Sequence, residues 1–109
     1  MATTYKVLGQ IEPSAASATT AYTVPSATQA VVSTITACNQ GTGSANIRIA
    51  VRPNGETLAD KHYVVYDVAI AGYETVGFTI GITVDAADVI TVQASTATVS
   101  FNVFGTEIS

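Results

Sequence analysis

Side chains able to do chemistry are few in this sequence: one histidine, His62, one cysteine, Cys38, and eight carboxylates among 109 residues. Acid–base or nucleophilic catalysis needs a base held beside a nucleophile, or two carboxylates whose environments differ. His62 stands beside Lys61 at the start of a strand, a position that reads as surface. No Gly-x-Ser-x-Gly elbow occurs. Asp85 and Asp88 lie three apart in a turn, where short acids cap nearby amides. Calcium takes roughly six to eight oxygens, and only Asp67 or Glu74 are at hand to join them in space. One cysteine and one histidine cannot build a zinc site within the chain. The glycines are scattered and precede no helix, so they form no phosphate cradle. The sequence therefore predicts no catalytic residue, no metal and no cofactor, and a protein that is not an enzyme.

What remains is surface. Tyrosine is enriched at protein interfaces because its ring is large, rigid and amphipathic. Of the five tyrosines, Tyr5, Tyr22, Tyr63 and Tyr73 are interface candidates. Tyr63 and Tyr66 should fall on opposite faces of one strand, so at most one is core. Phe104 takes the outward side of its strand, unless a bulge after Asn102 turns it inward. Arg48 and Arg52 share a strand face about 13 Å apart. From there they can pair with acids of a neighbouring subunit, or with Asp67 across the strands.

The elements that position these residues follow a period of two. In ANIRIAVRP, Ala45, Ile47, Ile49 and Val51 alternate with Asn46, Arg48, Ala50 and Arg52. In HYVVYDVAI, His62, Val64, Tyr66, Val68 and Ile70 are expected on one face. Val99, Phe101 and Val103 point inward near the C-terminus. Shorter strands are expected over residues 5–11, 21–24, 30–38, 75–80 and 89–94. Turn chemistry separates them: Asn39 to Ser44, Pro53-Asn54-Gly55, Ala71-Gly72 and Asp85 to Asp88. Residues 13–21 hold neither large apolar anchors nor charge and are expected as a long loop or arm. About eight strands with no room for βαβ units predict an all-β fold. It is a single antiparallel two-sheet sandwich, jelly-roll-like, spanning residues 1–109.

Composition narrows the partners. Charged residues are 11% of the chain and the net charge is −4, against about 25% charged residues in an ordinary soluble domain. A Thr- and Ser-rich exterior is cheap to desolvate, which favours permanent assembly. Lys6, Arg48, Arg52 and Lys61 cannot make the basic stripe that nucleic acid or an anionic membrane requires. A lone thiol, expected to pack as a small hydrophobe, suits a reducing cytosol. After Met1 come Ala2, Thr3, Thr4 and Tyr5, without the basic start and apolar run of a secretory leader.

Six segments, in order, carry a family resemblance. They are the YTVP start at Tyr22, the strand ending in Cys38-Asn39-Gln40-Gly41, and the IRIAVRP strand from Ile47. The KHY strand start at Lys61, the GITVDAADVITV hairpin from Gly81 and the closing FNVFGTEI from Phe101 follow. Over residues 22–108 the chain resembles small virion structural proteins of tailed bacteriophages, including those of cyanobacteria. The resemblance implies a β-sandwich that coats or joins parts of the particle, assembled in the host cytoplasm. A capsid decoration (cement) protein is expected, bound to the major capsid protein, as a homo-oligomer with a trimer favoured. Closed symmetry and multivalency would make such attachment strong. A tail, neck or baseplate part is the alternative. A carbohydrate-binding host-attachment module is another, with Tyr73 beside Glu74, or Tyr63 beside Asp67, as its sugar contacts.

Overall fold

The computed structural model describes residues 2–109. The alternating segments form nine strands: β1 (Thr3–Ile11), β2 (Thr19–Thr23), β3 (Gln29–Asn39), β4 (Ala45–Arg52) and β5 (Tyr63–Ile70), then β6 (Thr75–Phe78), β7 (Ile82–Val84), β8 (Val89–Ala94) and β9 (Val99–Ile108). Two single 3-10 turns, Pro53–Gly55 and Asp60–His62, lie between β4 and β5. All pairings are antiparallel. One sheet has the order β1-β9-β3-β6, with β7 also on β3, and the other has the order β2-β8-β4-β5. Strands from the two ends of the chain lie side by side in each sheet, which is the jelly-roll order.

The two sheets close over β-branched and aromatic side chains. Ile35, Ile47, Ile49, Ile70, Ile90, Val99, Phe101 and Val103 are essentially without solvent contact. Each contributes about 1.5–3 kcal/mol by leaving water. The alternation in β4, β8 and β9 puts Ile47, Ile49, Ile90, Val99, Phe101 and Val103 inside. Cys38 instead lies opposite Ser100 and Thr75 on the outer face of its sheet, half-buried.

Breaks in the period account for the differences from expectation. β6 and β7 form one interrupted edge strand. Between the pairs Ile35–Phe78 and Val32–Ile82, one more residue lies on the edge side than on β3. Gly81, at φ +67°, absorbs that extra residue. In β5 the register shifts twice against β4, and Asp67 takes φ +53° in mid-strand. The expected single face of β5 is thereby broken. Val65 points in, while Val64 and Tyr66 are 45% and 55% exposed. The predicted arm is shorter than expected, because β2 begins at Thr19. The rest of the arm is tied down where Ala16 N–H donates to the Ala94 carbonyl at 2.7 Å.

Candidate binding surfaces

On the outer face of the five-stranded sheet, register places Thr3, Tyr5, Val7 and Gln10 of β1 beside Ser100, Asn102, Phe104, Thr106 and Ile108 of β9. Gln29, Val31, Thr34, Thr36 and Cys38 of β3 follow, then Thr75, Gly77 and Thr83 at the edge. None of these residues is charged. One end is apolar: Val7 lies directly opposite Phe104, and Tyr5 and Val31 both flank Thr106. Tyr5 is 83% exposed, Val7 45% and Val31 40%. The other end is polar, with Gln10 donating to the Asn102 side-chain oxygen at 2.7 Å. Phe104 keeps its outward direction. The bulges flanking it belong to β1 and β3 rather than to its own strand, and β9 is not reversed after Asn102.

Charge is kept on the inner or opposite sides, except at one rim, where Asp85 and Asp88 line a hollow of about 370 Å³ with Gln29, Val31, Thr83 and Ile108. Tyr22, an interface candidate by sequence, is buried, and its hydroxyl donates to Glu107 Oε2 at 2.6 Å. Burial and that carboxylate push the hydroxyl above its ordinary range. The same bond, with Lys6 Nζ at 3.3 Å from Oε1, holds Glu107 below the usual carboxylate range. Tyr22 therefore braces the two sheets and offers no surface.

The outer face of the four-stranded sheet carries a different arrangement. Arg48, outward on β4, grips Asp67 through two bonds, Nε to Oδ1 at 2.6 Å and Nη2 to Oδ2 at 3.2 Å. The guanidinium lies 4.2 Å over the Tyr66 ring and 6.0 Å from that of Tyr63. The two rings meet edge to face with centroids 5.0 Å apart. The sequence placed them on opposite faces, and the register shift between Val65 and Tyr63, which leaves Val64 as an extra residue, brings them to one side. Arg48 holds Asp67 well below its ordinary carboxylate range. A hollow of about 440 Å³ opens at Asp60, Tyr63 and Tyr66. A second, of about 210 Å³, is lined by Ala16, Asn46, Arg48, Asp67, Gln93 and Ser95.

Other candidates serve the scaffold. Arg52 donates to Thr91 Oγ1 at 3.0 Å and to the Glu56 carbonyl at 2.9 Å, which pins the loop after β4. Tyr73 is 75% exposed at a turn, and its neighbour Glu74 accepts the Ala71 amide. Asp85 and Asp88 accept backbone amides of Ala86, Asp85 and Asn54. Among the described residues no group of three or more His, Cys, Asp or Glu side chains is placed to hold a metal ion.

His62 is buried, contrary to the surface position expected of it. Its Nδ1 accepts the Ala59 amide at 3.0 Å, so the proton sits on Nε2, which donates to Glu56 Oε1 at 3.1 Å. Both ring nitrogens are spent inside one loop, and the ring acts as its clasp. Sequence spacing gave no sign of this, because the partners are a backbone amide and an acid six residues away. No protein family matches the chain, and no curated protein matches it.

Proposed function

We propose that this chain is a non-enzymatic structural protein of a virus particle, a capsid decoration protein that binds and reinforces the shell built by the major capsid protein. The observation that carries the reading is the charge-free outer face of the five-stranded sheet. Strands of about nine residues across four strand-widths make a face of roughly 30 by 19 Å, near 600 Å². A standard interface takes about 800 Å² per partner, so this face can supply most of one. Covering Thr, Ser, Asn and aromatic surface costs little desolvation, whereas covering Lys or Glu costs a great deal. The jelly-roll sandwich suits the role because its hydrogen-bonded strands hold the outward side chains in a fixed register. The family resemblance of residues 22–108 points the same way.

Purified particles, fractionated and imaged by cryo-electron microscopy, test the reading. Density of this chain on the shell, with β1, β9 and β3 turned towards the neighbouring protein, is the expected result. Density at the tail or baseplate would replace decoration by the tail reading. Absence from particles would reject both.

A further inference from the structure

We propose that the outer face of the four-stranded sheet is a carbohydrate-binding cleft that takes a neutral oligosaccharide across Tyr66, Arg48 and Gln93. This lies beyond the structural role above and uses the opposite face of the sandwich. A sugar ring offers an apolar C–H face and a rim of hydroxyls that both donate and accept. A site for it needs exposed aromatic surface beside a few fixed polar groups. Tyr66 supplies the first, more than half exposed and held by its contacts with Tyr63 and Arg48.

The polar groups are held in advance. Arg48 has five donors and spends two on Asp67. The bidentate pair holds the remaining donors and acceptor positions in a fixed plane. Gln93 sits directly opposite Arg48 on β8, and Asn46 lies two residues before it on β4. Their side-chain amides make no hydrogen bond among the described residues, although both line the second hollow. These amides provide paired donors and acceptors for vicinal hydroxyls. Ala16, fixed to Ala94, walls the far side.

Arg48, which lines the second hollow, links it to the first through its contacts with the Tyr63 and Tyr66 rings. From β5 to β8 the cleft spans two inter-strand spacings, about 10 Å, room for two sugar rings side by side. Charge selects a neutral ligand. Arg48 is already neutralised by Asp67, Arg52 is engaged by Thr91 and the Glu56 carbonyl, and Asp60 at the first hollow carries a negative charge that disfavours uronic or sialic acids there. Preorganisation matters here because open sugar sites are weak and cannot spare binding energy on ordering side chains.

The test is calorimetric and NMR titration of the full chain with soluble gluco-, xylo-, manno- and galacto-configured hexasaccharides. At least one is expected to bind with a Kd of about 1 mM or tighter, with shifts confined to residues around Arg48, Tyr66 and Gln93. Tyr66→Ala and Gln93→Ala should each weaken it roughly tenfold, Tyr66→Phe should keep most of it, and Tyr73→Ala should leave it unchanged. Unaltered melting temperatures verify that the variants fold, and the two losses are independent. Failure of every probe to bind overturns the proposal, as does binding indifferent to Tyr66 and Gln93. If the parent chain binds none of the sugars while Tyr66→Ala detaches from the shell, the cleft is a protein contact instead.

Discussion

Asn39 does more for this fold than its place at a strand end suggests. It is fully buried, and its amide donates to the carbonyls of Gly43, Ile70 and Ala71 at 2.9–3.3 Å. Its oxygen accepts the Gly41 amide and the Thr98 hydroxyl at 3.0 and 2.9 Å. One side chain thus joins three loops at one end of the sandwich. Asn39→Leu leaves several buried polar groups without partners. It should cost about 3 kcal/mol in chemical denaturation with the m-value unchanged. The acids give a second prediction at this scale. Glu107 and Asp67 are held below their unfolded pKa values by Tyr22 with Lys6, and by Arg48. A depressed folded pKa contributes stability that is present above the unfolded pKa, near 4, and is lost as pH falls through the folded one. Melting temperature should therefore drop as pH falls below about 4, and Glu107→Gln should flatten that acid limb. Roles of this kind were poorly legible in the sequence. Alternation predicts which way a residue points, and it correctly put Ile47, Ile49, Phe101 and Val103 inside. It says nothing of Asn39, His62 or Tyr22, whose partners are far away in the chain or lie on the backbone.

At the scale of elements, strands were legible and their irregularities were not. Residues 45–52 and 89–94 have the bounds that β-branched alternation predicts. β5 departs because Asp67 adopts a left-handed conformation, which Asp tolerates better than most residues but does not announce. That bulge sets Tyr66 and Asp67 together against Arg48, and the second shift, at Val64, adds Tyr63, so the candidate cleft could not be read from spacing alone. Likewise the predicted strand over 75–80 stops at Phe78, and the edge resumes at Ile82, beyond Gly81. β9 has its own constraint at Gly105, where an added Cβ would strike the Val31 carbonyl and crowd Leu8. β9 contributes to both neighbouring pairings, so β1 or β3 would have to move. Gly105→Ala should destabilise by roughly 2–3 kcal/mol. Gly43→Ala, where a Cβ meets nothing, should stay within about 0.5 kcal/mol. Thermal melts of the two variants side by side decide the point.

At the scale of the molecule, charge is unevenly distributed. The Arg48–Asp67 pair lies on the outer face of the four-stranded sheet, and Lys61 pairs with Glu56 in the loop before it. Lys6 pairs with Glu107, whose register with Ala30 puts it on the inner side of the five-stranded sheet. The outer face of that sheet is left neutral. Composition forecast a neutral exterior but not its concentration on one sheet, which required the strand order. A lysine at position 104, in the middle of this face beside Val7, would carry its charge into any contact made there. Cosedimentation of Phe104→Lys with capsid shells is the most direct measurement. Attachment should fall by at least tenfold, about 1.4 kcal/mol or more, while the half-exposed position keeps the fold and its melting temperature close to those of the parent. Undiminished attachment by a folded Phe104→Lys protein would contradict the claim that this face meets the shell.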